Sequence, residues 1–404
     1  MKLGFQTART KWRNNSRNDQ PVAGGLHRTN AFILTMSNHG SDSDRHIALL
    51  SQLMFRGYAG DFTTPLSNLT AIDSLGDDVP SHEKWGEFLN LANTHHVTVR
   101  ALRVLEQIAA DRHDSGLQEQ CHEVIEQESA RIRNAVEWLY VIVQTLQNSG
   151  SPVSVIKSLD HWPDLGSDLD LYTSGTPEQV AQVMREKLQA RPEPRSWGDR
   201  LAGKWNFQIP GLPELVEIHV RYLGQTGEQK LMARRVLERS VTRTVNGRRF
   251  PVPAPEERIL ISTLQRMYRH FYFRLCDMAD VAALLAGEGV DFDELQVGAE
   301  LGSIWPGVAS FLVIVSEYVK LYGGHVDLPG DVVDAAYSPE LRAQFRDNFL
   351  RVPMGPAAGL YGSQLISAGR HRDLRAISRL PLLPALAVSA LVAYRLTGSD
   401  KGVW

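Results

Sequence analysis

Cysteine is scarce in this chain: Cys121 and Cys276 are the only two in 404 residues. Two thiols so far apart in sequence exclude a disulfide framework or a zinc ribbon, and they fit a reducing compartment. No apolar stretch follows the N-terminus, so no secretory signal is expected and the location expected is cytoplasmic. Neither sign of charge dominates. The formal net charge of -3 excludes a polyanion binder by bulk charge alone. Long hydrophobic runs are also missing. The most apolar segment, "LPLLPALAVSALVAY" from Leu380 to Tyr394, falls short of the roughly 20 residues a membrane span needs. A buried helix is expected there, with peripheral membrane contact the minor reading. No internal repeat or low-complexity tract is present.

What is there divides into four regions. Residues 1–40 are polar and basic (Arg9, Lys11, Arg13, Arg17, Arg28) with little periodicity, which reads as a flexible N-terminus. Residues 41–150 read as helical. A helix is expected from Asp44 to Arg56, then a turn-rich stretch from Phe62 to Pro80. Ser81 is a candidate N-cap for "HEKWGEFLNLANTHH", and a long helix from Leu117 to Gln147 ends at Asn148-Ser149-Gly150. Residues 151–253 change period. "PVSVIKSL", "SDLDLYT", "KWNFQIP" and "LVEIHVRYL" read as strands, Thr176-Pro177 opens a helix, and Asn246-Gly247 marks a hairpin. Residues 254–404 return to helices: Glu256 to Ala286, Pro306 to Tyr322, Pro339 to Leu350 and Leu380 to Leu396. The fold class expected is α+β, a small mixed-sheet core flanked by helical regions on both sides.

The chemistry concentrates in "LGSDLDLYTS", Leu165 to Ser174. Alternate residues of a strand share a face, so Asp168 and Asp170 point one way and Leu169 and Leu171 the other. Two buried carboxylates repel unless one is protonated or a cation sits between them. Glu217, with His219 on its face, supplies a third acid on a second strand. Three acids on neighbouring strands can hold divalent ions, and magnesium or manganese with a nucleotide suits such oxygen donors. A metal is therefore the expected counterion rather than a lysine. "SDSD", Ser41 to Asp44, repeats the spacing but reads as a polar loop.

Two further features carry charge. At helical spacing, Arg266, His270, Arg274 and Asp277 form a stripe apart from the apolar face of Leu260, Leu264, Met267, Phe271, Leu275 and Met278. Arginines so spaced suit a triphosphate or a phosphorylated acceptor, with Asp277 orienting an arginine or histidine. The alternative is an ordinary polar helix face. Between Arg221 and Arg249 lie Lys230, Arg234, Arg235, Arg239, Arg243 and Arg248 against Glu228 and Glu238. That segment is either a basic field or a solvated face. His95, His96 and His371 read as structural or surface residues, and "MGPAAGLYGS" lacks the Lys-Ser/Thr of a phosphate loop.

In order and spacing, Lys157-Ser158, Asp168/Asp170, Glu217/His219 and "RMYRHFYFRLCD" resemble the nucleotidyltransferase superfamily that includes DNA polymerase beta. The likeness is to a poorly characterised bacterial branch and covers roughly residues 80 to 290. It implies a nucleotidyltransferase core with Asp168, Asp170 and Glu217 as catalytic, metal-holding residues. It also implies nucleotide or phosphate contacts from Lys157, Ser158, Gly166, Ser167, His219, Arg266, His270, Arg274 and Asp277. Lys157-Ser158 stands where the superfamily has a glycine in its first turn, and the Gly-Ser pair falls later, at Gly166-Ser167.

The expected activity is metal-dependent transfer of a nucleoside monophosphate from an NTP, with ATP first, to a hydroxyl-type acceptor that the sequence does not identify. One alternative is an inactive module that binds nucleotide on the same fold. Another is a tRNA-modifying or toxin-like transferase, for which nucleic acid would be the less favoured acceptor.

Overall fold

A computed structural model of the chain describes residues 42–56, 80, 82–287, 289–337 and 342–397. The expectations for residues 1–40, for most of Phe62 to Pro80 and for Ser81 lie outside the described residues.

Helices come first: α1 (Asp42–Phe55), α2 (Trp85–Thr94), α3 (Thr98–Asp111) and α4 (Ser115–Asn148). The Asp114 carboxylate caps α4 by accepting from Leu117 N–H, and Gly150, at φ 76°, lets the chain turn out of it. Asp42 and Asp44 sit in the first turn of α1 rather than in the loop expected. Carboxylates suit the positive end of a helix, and Asp42 pairs with Lys84 at 2.5 Å.

The α/β region contains β1 (Val153–Val155), β2 (Asp168–Thr173), α5 (Pro177–Leu188), β3 (Arg191–Pro192), α6 (Trp197–Ala202), β4 (Lys204–Gln208) and β5 (Leu215–Val220). It goes on to α7 (Leu231–Glu238), β6 (Ser240–Val245) and β7 (Arg248–Pro253). The main sheet runs β1-β2-β5-β4-β3, and its one parallel pair is β2 with β5. Thr176 caps α5 with Pro177 at its first turn. Asn246 and Gly247 turn the β6–β7 hairpin at φ 48° and 73°, the double positive φ of a type I′ turn. Leu169, Leu171, Val216, Ile218 and Phe207 bury one face of the sheet in an apolar cluster. That cluster also takes in α1, α4 and the later helices, so the described α/β and helical regions share one core.

The C-terminal part comprises α8 (Pro255–Gln265), β8 (Tyr272–Phe273), α9 (Leu275–Gly287), α10 (Phe292–Leu301), α11 (Trp305–Leu321) and α12 (Gly330–Ala335). It ends with β9 (Gln344–Arg346), β10 (Phe349–Arg351), α13 (Met354–Arg370), α14 (Leu374–Arg379) and α15 (Leu382–Thr397). Three expectations fail here. The helix from Glu256 to Ala286 is broken: a π-turn at Arg266–His270 and Phe271 at φ 57° separate α8 from α9. Tertiary bonds override helix propensity at that point. Val352 N–H donates to Phe271 C=O, β8 pairs with β10, and His95 Nδ1 accepts the Leu275 N–H at the start of α9. The helix expected from Pro339 to Leu350 is instead the β9–β10 hairpin, turned by Asp347 and Asn348 at φ 51° and 59°. Asp and Asn tolerate that conformation better than other side chains. The apolar C-terminal helix exists, but it is not buried. Leu386 is buried on it, whereas Leu382, Val388 and Val392 are exposed. No described helix is long and apolar enough to cross a membrane.

The basic segment is largely offset by acids distant in sequence. Arg235 pairs with Glu257 and Glu294, Arg239 with Glu256 and Glu257, Arg248 with Glu137, and Arg243 with Asp160.

Candidate active site

Register places the acids. In the parallel pair Asp170 stands opposite Glu217, and Asp168 stands opposite Leu215. Each strand residue advances about 3.3 Å, so Asp168 lies roughly 6–7 Å along the strand from the Asp170–Glu217 level. Glu217 and His219 share one face of β5, and His219 Nε2 donates to Glu217 Oε1 at 2.8 Å. His219 Nε2 is also 3.9 Å from Asp170 Oδ1. Asp170, Glu217 and His219 thus offer three ligand atoms within 4.8 Å of one another. Asp168 is outside that set, so of the expected trio Asp170 and Glu217 come together, with His219 beside them.

Two ammoniums lie against these acids. The Lys157 ammonium pairs with Asp170 and lies 3.8 Å from Glu217 Oε1. Lys204 Nζ reaches Glu217 Oε2 at 2.6 Å and Asp199 at 3.5 Å. Lys204 is the residue the sequence reading missed. Strand register puts it there: β4 adjoins β5, and Lys204 falls opposite His219.

Burial opposes the charged form of Glu217, but Lys157, the His219 hydrogen bond and Lys204 outweigh it and hold its carboxyl well below the usual range. Burial, then the charges of Asp170 and Glu217, push Asp168 the other way, up to about 6. A folded pKa raised above the unfolded 3.8 means that protonation of Asp168 favours the fold. That contribution is complete below pH 3.8 and is lost as pH rises through about 6. In metal-free buffer an Asp168→Asn protein is therefore expected to be more stable than wild type at pH 7.5, by at most roughly 3 kcal/mol. The difference closes as pH falls below 4, and denaturant melts across that range measure it.

The turn before β2 is braced from beneath. Ser158 Oγ accepts the Asp170 N–H at 2.7 Å and donates to Asp168 C=O at 3.3 Å. Ser158 is thus a brace for the strand. Lys157 takes the left-handed position of this turn, φ 62°, where a glycine would be at ease. Gly166 serves packing, since a Cβ there would meet the His96 ring at 2.9 Å. Ser167 is exposed.

The break after α8 gathers the cationic stripe by another route than helical spacing. Arg266 is 2% exposed, and its Nε lies 2.8 Å from Asp277 Oδ2. Asp277 also accepts the Arg274 backbone N–H at 2.6 Å. Burial, then Arg269, Arg266, Lys157 and Arg274, hold the His270 imidazole far below its usual range. The positive charges of Arg269, Arg266, Lys157 and Arg274 thus all act on His270. Arg266 Nη1, Arg269 Nε and Arg274 Nε are buried without a hydrogen-bond acceptor. Buried guanidinium nitrogens in that state call for an anion.

Residues 81–319 match the family described as uncharacterised nucleotidyltransferase, well over half of the chain. The chain belongs to this family. The matched span holds every candidate residue described above, from Lys157 through Asp277. A solved structure similar to this chain is an antigenic nucleotidyltransferase-like protein from Paracoccidioides brasiliensis. It is 14% identical with a TM-score of 0.30, over 48% of this chain and 95% of that chain. No curated protein matches the chain.

His161, Cys276 and Asp280 form a second group of ligand-type atoms. Arg100 joins Asp280 at 2.9 Å and Asp164 at 2.9 Å, and His161 donates to Asp280. Two carboxylates against a guanidinium and a histidine make this an internally balanced ion network.

Proposed function

We propose that this chain transfers a nucleoside monophosphate from an NTP to a hydroxyl-type acceptor, with one divalent ion at Asp170, Glu217 and His219. The observation that carries the reading is the convergence of these ligands on two paired strands of a chain in this family. The donor set fits a divalent ion. It offers two carboxylates and the His219 imidazole, whose Nε2 faces both of them. With a nitrogen ligand present, manganese suits it at least as well as magnesium. A bound ion supplies Lewis-acid polarisation of phosphoryl oxygens.

The chain's own residues do the rest. Arg266, Arg274 and Lys157 neutralise the polyphosphate, and Asp277 fixes Arg266 and the Arg274 backbone. The acceptor hydroxyl gives its proton to solvent, and its oxygen bonds to the α-phosphorus as the bond to the β-phosphate oxygen breaks and pyrophosphate leaves. Glu217, paired with two ammoniums and an imidazole, acts as ligand and counter-charge, not as the acceptor's base. Cytoplasmic location and ATP as the donor remain part of this proposal.

Thermal melts test it. Manganese or magnesium with an NTP is expected to raise the melting temperature of the wild type and not that of an Asp168→Ala/Asp170→Ala protein. Equal shifts in both would exclude the site.

A further inference from the structure

Cys276 is the member of the His161, Cys276 and Asp280 group that the ion network with Arg100 and Asp164 does not use. A buried cysteine is usually a small apolar side chain among apolar neighbours. This one is 0% exposed, yet the charges of His161, Asp277 and Asp280 act on its thiol. Its sulfur, a His161 ring nitrogen and an Asp280 oxygen all lie within 4.8 Å of one another. Cys276 and Asp280 are four residues apart on α9 and so share a face of it. His161 comes to them from the turn between β1 and β2.

The donor types select the ion. Thiolate, imidazole and carboxylate together suit zinc, and a thiolate disfavours magnesium and manganese. A tetrahedral zinc keeps its ligand atoms roughly 3.3–3.8 Å apart, so the group needs only a small contraction. Charge allows it too. Burial pushes the Cys276 thiol up, so it keeps its proton. Burial opposes the charged form of His161, but Cys276 and Asp280 outweigh it, so the ring is protonated as well. One Zn2+ in place of those two protons leaves the total charge of the buried group unchanged, so no uncompensated charge is added. The His161 side chain, 13% exposed, gives the group its opening to solvent. His96 is a further donor at hand. Its ring lies 5.7 Å from that of His161, burial keeps it neutral, and its Nδ1 is buried without a hydrogen-bond partner.

We propose that His161, Cys276 and Asp280 form a structural zinc site. The ion ties the turn that carries Lys157 and leads into Asp168 to the start of α9, where Asp277 holds Arg266. It uses none of the residues of the proposed transfer site, so either can fail without the other.

The thiolate supplies the test. Full-length protein, stripped of metal with a chelator, is titrated with Co2+ and then with Zn2+. The near-ultraviolet sulfur-to-cobalt charge-transfer band reports a thiolate ligand. It is expected to appear with the first equivalent of Co2+ and to fade as Zn2+ displaces the cobalt. Asp170→Asn and Cys121→Ala proteins are expected to keep the band, and a Cys276→Ala protein to lose it. A chromophoric zinc chelator is expected to read an affinity at least tenfold weaker in Cys276→Ser than in the wild type. X-ray absorption of wild type loaded with one equivalent of Zn2+ needs no variant, and it is expected to show one sulfur in the shell of the metal. No band in the wild type, a band that survives Cys276→Ala, or a zinc shell without sulfur overturns the inference and leaves the group an ion network alone.

Discussion

An Arg100→Ala protein is expected to be less stable than wild type by about 3–5 kcal/mol, the usual effect of stranding buried charges. Arg100 is 7% exposed, and its guanidinium bridges Asp164 at 3% and Asp280 at 7%. Asp164 also accepts the Val99 and Arg100 backbone N–H groups. One arginine therefore ties the start of α3, the turn that leads into Asp168, and α9. Its removal leaves two carboxylates out of water against one histidine. Urea denaturation should show a lower midpoint with an unchanged slope. Neutralising both acids as well, with Arg100→Met, Asp164→Asn and Asp280→Asn together, should recover much of the loss, since the penalty comes from uncompensated charge. A single-variant loss under 1 kcal/mol would show that the network is not what holds these elements.

Asp170→Asn is expected to abolish Mn2+ binding and to lower transfer from an α-labelled NTP into cell-extract acceptors by roughly 10³-fold. Several kcal/mol of metal-derived charge stabilisation correspond to that factor. The substitution keeps the backbone N–H that Ser158 accepts, so the fold should persist. It removes the carboxylate opposite Glu217 that both the metal and Lys157 need. Incorporation within tenfold of wild type would place the chemistry elsewhere.

Part of this site was legible in the sequence because it rests on local periodicity. Alternation put Asp168 and Asp170 on one face of β2, and Glu217 and His219 on one face of β5, and the strands bear this out. Helical spacing put Arg266, His270, Arg274 and Asp277 together for the wrong reason. The helix is broken, yet the π-turn and the α9 start bring Arg266 onto Asp277 at 2.8 Å. The β9–β10 hairpin was read as a helix because its turn signal, Asp347-Asn348, lay inside a run that also suited a helix. Gly166 looked like a phosphate turn, but its small size answers to the His96 ring, a contact between residues 70 apart.

By itself the sequence determined the α+β character, the two acid-bearing strands and the order of the motifs, because these follow from residue alternation, caps and turn chemistry along a few neighbouring positions. Only the tertiary structure decided which acids meet. Strand register set Glu217 against Asp170 and left Asp168 apart. It also set two ammoniums against them, since no local pattern shows that Lys157 and Lys204 converge on those acids. Electrostatics acts through space, so the balance of charge at this site became definite only when four separate segments were brought together.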